Sequence, residues 1–343
     1  MSRIIAYALS CLICAAIALP FTGAAQAESA AEFYGKNDVS LVIGYNPGGT
    51  YDVYARMAAK HMQKHIPGRP TIVPKNIPGV GGIKAANYLY KQGLRNGSMI
   101  GVISQNVALH QVLKHRAVRY DASKFNWIGR MTSAVEATIV WHTVGVKTLA
   151  DARKRQVVLA ATSAKSSTDT NPRLMNAFAG TKFKIALGYK GTNGSILAME
   201  RGEVEGSPAV IQNLVIQKQD WIKDKKIAVL VQYSLKRHSA FPDAPAMVEF
   251  GKTPEDKEVL SLYGSTAEVG RGLMAPPGVP HDRMAMLRKA FDAMLKDPDF
   301  LAEMRERKME LDPLTGDQVQ ALITKTLATS PGAVKRAVEA RNN

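Results

Sequence analysis

His61 and His65 stand four residues apart, the spacing at which one helix face presents two imidazoles to a zinc ion. Met62 occupies the place where a metalloprotease carries its glutamate base, and two histidines are too few ligands, so the pair reads as a solvated helix face. Gly79-Val80-Gly81-Gly82 is half of a dinucleotide fingerprint, but Lys84 replaces the third glycine and no acid lies near position 99. The stretch 188–195 lacks the Gly-Lys-Ser/Thr of a phosphate loop, and no Gly-x-Ser-x-Gly elbow occurs. His110, His115, His142, His238 and His281 fall in no spacing that certifies acid–base work, which leaves only a triad assembled from distant segments.

Binding chemistry is better represented, in Leu41-Val42-Ile43-Gly44-Tyr45-Asn46-Pro47-Gly48-Gly49-Thr50-Tyr51-Asp52. An apolar strand pattern there breaks into a glycine turn that opens an amphipathic helix. The first helical N–H groups have no partner within the helix and point at whatever lies above the turn. Gly48 and Gly49 let the backbone approach a ligand, Thr50 or Asp52 can cap the helix, and Val53, Met57, Ala58 and Met62 mark its buried stripe. An ordinary β-to-α turn has the same pattern, so its place in the chain must decide. Three more small, polar stretches follow strand-like runs: Ser104-Gln105-Asn106, Thr162-Ser163-Ala164-Lys165-Ser166-Ser167-Thr168 and Gly188-Tyr189-Lys190-Gly191-Thr192. Ligands of α/β sheets lie beyond the carboxyl ends of strands, where each of these loops would sit.

The elements that must position them alternate in βαβ fashion. Strands are predicted at 39–45, 71–73 and 99–103, followed by helices at 52–65, 81–92 and 106–114. A second series places strands near 137–141, 157–161, 184–189 and 227–233, with helices starting near Thr148, Thr170, Asn193 and Ile211. The tail reads as helices around 280–295, 298–308 and 315–328. No long Pro-, Gly- or Ser-rich linker interrupts the chain. A chain leaving one α/β lobe near 141 and returning near 233 makes a hinged pair of domains with a cleft between them, the first from 28–141 plus 233–343 and the second from 142–232.

Residues 1–27 read as a secretory signal, with Arg3, an apolar run from Ile4 to Leu19 and Ala25-Gln26-Ala27 before Glu28. Cleavage after Ala27 is expected, giving a soluble, exported product. Both cysteines, Cys11 and Cys14, fall inside that segment, so the remaining 316 residues carry no disulfide or thiolate metal site. Without Arg3 the charge is about +15, from 44 basic and 29 acidic residues. The basic residues are scattered through helices rather than gathered with aromatics, which speaks against nucleic acid and leaves a solvated basic surface or attraction of anionic solutes.

Six segments then fall into one pattern: Tyr45-Asn46-Pro47-Gly48-Gly49-Thr50-Tyr51-Asp52-Val53-Tyr54-Ala55-Arg56, Asn76-Ile77-Pro78-Gly79-Val80-Gly81-Gly82, Tyr189-Lys190-Gly191-Thr192, Gly202-Glu203-Val204-Glu205, Phe241-Pro242-Asp243-Ala244-Pro245 and Leu273-Met274-Ala275-Pro276-Pro277-Gly278-Val279-Pro280. In order and spacing the chain resembles the solute-binding receptors of tripartite tricarboxylate transporters, the Bug or TctC family, over essentially all of 28–343. The resemblance implies an α/β fold of the two-lobed periplasmic binding protein type (type II). Each lobe would be a mainly parallel sheet flanked by helices, with a hinge between. It implies a monomer that closes on a small mono-, di- or tricarboxylate or aromatic acid and delivers it to a membrane permease of two subunits, with no catalysis and no cofactor. Family members grip a ligand carboxylate through two ordered waters and backbone amides of the first glycine turn, which here means Tyr45, Asn46, Gly48, Gly49, Thr50 and Asp52. The opposite lobe would contribute Ser163, Ser166, Ser167, Thr168, Tyr189, Gly191 and Thr192.

Two departures bear on specificity. Asn46 stands where many relatives have an apolar or aromatic residue, and Ala164-Lys165-Ser166 replaces a glycine-rich turn. Lys165 or Arg271 would pair with a second ligand carboxylate, against a solvated loop for the first and a structural salt bridge for the second. Tyr51, Tyr189 and Trp141 either wall the cleft or pack in the core. Specificity is therefore expected from Ser104, Gln105 and Asn106, from 163–168 and from Arg271. A sensing subunit that reports a carboxylate to a membrane histidine kinase has the same sequence requirements, and a secreted hydrolase would need a nucleophile and base that no motif supplies.

Overall fold

The computed structural model describes residues 28–162, 164 and 166–342, so the segment 1–27 that reads as a signal, Ser163 and Lys165 lie outside the described residues. In chain order the strands are β1 (Val39–Ile43), β2 (Ile72–Asn76), β3 (Met99–Val102), β4 (Asn126–Arg130), β5 (Glu136–Trp141), β6 (Val157–Ala160), β7 (Phe183–Ala186), β8 (Gly206–Val210), β9 (Ile227–Tyr233), β10 (Gly272–Ala275) and β11 (Leu314–Thr315). They form two sheets, ordered β11-β4-β10-β3-β1-β2 and β7-β6-β8-β5-β9.

The two-lobed α/β architecture is present, but its sheets are mixed rather than plainly parallel. β1 is parallel to β2 and β3, while β10 runs antiparallel to both β3 and β4, and β11 antiparallel to β4. In the second sheet β6 is parallel to β7 and β8, and β5 is antiparallel to both β8 and β9. The reversed strands β5 and β10 directly follow the segments that cross between sheets, so each enters its new sheet against the prevailing direction. Crossover helices cover the parallel strands, which are therefore buried on both faces: Leu41, Val42 and Ile43 of β1 are fully inaccessible.

The crossing points differ from those expected of the sequence. The sequence pattern puts 137–141 in the first lobe, with 233 as the return point; both β5 and β9 belong to the second sheet. The chain crosses between Arg130 and Glu136 and comes back at Gly270 and Arg271. Met131 N donates to Arg271 O (3.2 Å), Arg271 N to Thr132 O (2.9 Å) and Ala134 N to Ala267 O (2.9 Å), which staple the two crossing segments together. The Pro254–Val269 and Pro331–Asn342 helices pack on each other, and Ala333, Ala337 and Ala340 join the same core as Leu174 and Phe178 of the Ser167–Ala179 helix. Apolar alternation at 137–141 cannot say which sheet a strand joins, because both neighbours are equally apolar.

His61 and His65 do not form a solvated face. The Thr50–Met62 helix, with the short turn Gln63–His65, lies against Pro298–Glu306, and His61 is 5% exposed. His61 Nε2 meets Glu303 Oε2 at 2.8 Å and His65 Nε2 meets Asp297 Oδ2 at 2.7 Å, with Lys60 on Glu303 and Lys64 on Asp297, both at 2.7 Å. The i, i+4 spacing serves helix docking, and among the described residues no cluster of metal-ligating side chains occurs. Hydrogen bonds from Lys60 and His61 hold the Glu303 carboxyl down to about 2. A lowered carboxylate stabilises the fold above its unfolded value near 4.5 and loses that contribution as pH falls toward 2. Glu303→Gln should therefore destabilise by on the order of 2 kcal/mol at neutral pH, and the gap to wild type should close between about pH 4.5 and 2 in urea melts. A gap independent of pH would refute the ionic account.

Candidate functional site

Beyond the carboxyl end of β1 the chain turns through Tyr45 to Gly49 into the Thr50–Met62 helix. Gly48 takes φ +82°, which a Cβ would strain, and Gly49 is the extended residue before the helix. Neither Thr50 nor Asp52 caps this helix in the manner expected, since no side chain bonds its first amides. The first intrahelical bond is Val53 N to Gly49 O, which leaves the amides of Thr50, Tyr51 and Asp52 without helical acceptors. The positive end of the helix therefore opens at the exposed turn.

Asp52 has a different task from the one anticipated. It is 4% exposed, and its carboxylate accepts from Gly48 N (3.0 Å), Arg56 Nε (2.9 Å) and Asn76 Nδ2 (2.8 Å). Burial pushes its pKa up, but these donors outweigh burial and hold it below the usual carboxylate range. Its charge is spent on fixing the turn, and Gly48 N–H is committed to it. Asp52→Ala leaves three donors unpaired and should lower stability by about 2–3 kcal/mol in urea titration; an unchanged midpoint would remove Asp52 from this role.

Above the turn stands a polar aromatic wall. The Tyr45 and Tyr51 rings stack at 4.1 Å and 21°. Tyr45 Oη donates to Ser104 Oγ (3.1 Å), while Tyr51 Oη donates to Gln105 Oε1 (3.2 Å) and accepts from Gln105 N (3.1 Å). Ser104 Oγ also accepts from Asn106 N (3.2 Å). Ser104 and Gln105 are buried, and Gln105 Nε2 also donates to Ala134 O (3.4 Å). Arg271 completes the group: its guanidinium lies 3.9 Å over the Tyr51 ring, Nη1 donates to Gln105 Oε1 (3.2 Å) and Nη2 to Thr50 Oγ1 (3.2 Å). Arg271 is 4% exposed, its Nε has no partner, and no carboxylate of the described residues lies within 4 Å of it. It is therefore not the structural salt bridge that was one of the two expectations. The arginine that does fill that role is Arg130, buried and paired with Asp312 (2.8 Å) and Glu268 (3.3 Å).

On the second sheet, Thr162, Ser166 and Thr168 form a hydroxyl cluster in which Thr162 N donates to Thr168 Oγ1 (3.0 Å) and Ser166 Oγ meets Thr168 Oγ1 at 2.8 Å. Tyr189 N donates to Ala161 O (3.2 Å) and Gly191 N to Tyr189 O (3.0 Å), so the loops after β6 and β7 lie side by side. Thr192 lines a groove of about 270 Å³ between the Gly191–Glu200 and Ile211–Gln217 helices. Of the three aromatics expected to wall the cleft or pack in the core, Tyr51 belongs to the first core, with Tyr45 packed against it, and Trp141, edge-on to Trp221 at 5.0 Å, and Tyr189 pack against the second. Ser167 Oγ donates to Glu136 Oε1 (3.2 Å) and Asn171 Nδ2 to Glu136 Oε2 (3.2 Å). Glu136 is absent from the sequence-derived candidates, although an acid opening an otherwise apolar strand, Glu136-Ala137-Thr138-Ile139-Val140, is a visible signal.

The candidate residues thus place an open helix terminus beside a buried guanidinium with no carboxylate of the described residues within 4 Å on one sheet, and hydroxyl-rich loops on the other. Residues 54–339 match the model of the tripartite tricarboxylate transporter family receptor. A Cupriavidus necator relative, "UPF0065 protein in gbd 5'region", is 23% identical over 337 residues, covering 94% of both chains. A TctC solute-binding protein from Polaromonas has the same fold, with a TM-score of 0.65 at 17% identity over 89% of this chain and 99% of its own. An R. palustris protein solved with adipate also has a TM-score of 0.65, at 19% identity over 90% and 98%. With the family model matched over most of its length, this chain belongs to the tripartite tricarboxylate transporter receptor family.

Proposed function

We propose that this protein captures a small organic carboxylate in the cleft between its two lobes, by hinge closure and without chemistry, and delivers it to a two-subunit membrane permease. The observation that carries this reading is Arg271, a buried cation with no carboxylate of the described residues within 4 Å, beside the first-turn amides of the Thr50–Met62 helix. Burying an unpaired guanidinium costs several kcal/mol, a cost that a ligand anion would offset. The adipate and malate bound by two R. palustris neighbours of similar fold support the carboxylate class.

In this reading Thr50, Arg271 and the first-turn amides hold the carboxylate, Gly49 and Asn46 lie at the exposed lip, and Tyr45 forms the wall. Gln105, Ser104 and Asn106 brace that wall. Ser166, Ser167, Thr168, Tyr189, Gly191 and Thr192 close from the second lobe together with Ser163. The lobes divide at the stapled crossing segments, with 28–131 and 271–327 in one and 133–269 and 331–342 in the other. The chain acts as a monomer in the periplasm after cleavage behind Ala27.

A thermal-shift panel of mono-, di- and tricarboxylates and aromatic acids tests the function. A ligand at about 100 times its Kd should add about 2.7 kcal/mol of stability. Stabilisation by another solute class and by no carboxylate would overturn the proposal. Co-purification with a histidine kinase instead of a permease would reassign the partner.

A further inference from the structure

Glu136 is an acidic side chain of the second sheet whose carboxyl feels the charge of Arg271. It lies where β5 begins, directly after the crossing segment, while Arg271 lies on the returning segment bonded to it. The two charges feel each other but are more than 4 Å apart, so neither neutralises the other by contact. Each is braced only by neutral groups: Gln105 and Thr50 on the arginine, Ser167 and Asn171 on the glutamate. Burial pushes the Glu136 carboxyl up, against the Ser167 hydrogen bond and the Arg271 charge, which pull it down.

A ligand consisting only of a carboxylate and an apolar body would satisfy Arg271 and leave Glu136 facing it. Closing the lobes would then strip water from a carboxylate that holds two neutral donors and has unused acceptor capacity. A second ligand carboxylate at this position would meet like charge. A hydroxyl or ammonium group would instead donate to Glu136 while the ligand carboxylate meets Arg271. Resting on the carboxylate-receptor reading, we propose that Glu136 is a specificity-determining residue that selects carboxylates bearing a hydrogen-bond donor, hydroxyl or ammonium, between Arg271 and the start of the Ser167–Ala179 helix.

Isothermal titration of the protein lacking residues 1–27 with two matched series, propionate, lactate and alanine, then succinate, malate and aspartate, tests this. The donor-bearing members of at least one series should bind about tenfold or more tightly than the unsubstituted acid. Comparing the hydroxy with the amino member identifies the donor. In Glu136→Gln that preference should shrink to about threefold or less, with binding of the unsubstituted acid retained or improved. An undiminished preference in Glu136→Gln, or no preference in wild type while carboxylates bind, overturns the role of Glu136 and leaves the carboxylate reading intact. Binding of no carboxylate in any series overturns both. If Glu136→Gln fails to fold, Ser167→Ala, which loosens the glutamate without removing it, should lower the preference in the same direction; an unchanged preference there overturns the proposal.

Discussion

Arg271→Met should lower carboxylate affinity by between ten- and a hundredfold while leaving the stability of the ligand-free protein within about 1 kcal/mol of wild type. The first half follows from the energy of a charge-assisted hydrogen bond, about 1.5–3 kcal/mol, lost from a site where water is excluded. The second half follows from the unusual surroundings of the arginine. Its hydrogen bonds go to Gln105 and Thr50, both neutral, and its Nε has no partner. Removing it costs two modest bonds and the stacking on Tyr51, but it also removes a desolvated charge without a counter-ion, and the effects oppose each other. Arg130→Met is the control, since it strips a buried guanidinium from Asp312 and Glu268 and should cost about 3–5 kcal/mol without a specific effect on ligand. Urea melts with and without ligand separate the cases. A large loss of ligand-free stability in Arg271→Met, with the ligand shift preserved, would make Arg271 structural.

Gly270→Ala is expected to prevent folding or to cost more than about 4 kcal/mol. Gly270 has φ +49° and ψ −128°, a conformation open to glycine almost alone. A Cβ there would also run into Thr132 O and lie 2.8 Å from Ser133 Cα, both backbone atoms. The carbonyl it would strike is the acceptor for Arg271 N, so relief of the clash has to separate the two crossing segments that join the lobes. Gly48→Ala isolates the conformational part: φ is +82°, but a Cβ there would meet no atom within 4 Å, and the expected cost is about 1–2 kcal/mol. Equal destabilisation by the two substitutions would show that strain alone, rather than the close approach of the crossing segments, governs position 270.

Much of this architecture is legible locally. The strand predicted at 227–233 is β9 to the residue, and the helices expected at 81–92 and 280–295 appear as Ile83–Gln92 and His281–Met294. β8 escapes a local reading because Gly206 and Pro208 look like turn residues, yet the strand lies between β5 and β6. The Pro254–Val269 helix is not among the predicted elements although Thr253 caps it and Pro254 opens it, a signal available in the sequence. His61 looks exposed because its partner Glu303 is distant in sequence, and Asp52 is held in place of capping its helix by the nearby Gly48 and Arg56 together with the distant Asn76.

The sequence by itself determined where the chain coils or extends, where the glycine turn opens a helix, and that no local catalytic or metal motif is present. Those properties depend on residues within a few positions of one another, because helix periodicity and strand alternation are local. Only the tertiary structure decided that 136–141 joins the second sheet, that Asp52 is consumed within its own turn, and that Glu136 meets Ser167. It also decided that Arg271 reaches Gln105, 166 residues away, and finds no carboxylate among the described residues. Whether a charge is compensated depends on everything packed around it, and chain separation carries no record of that.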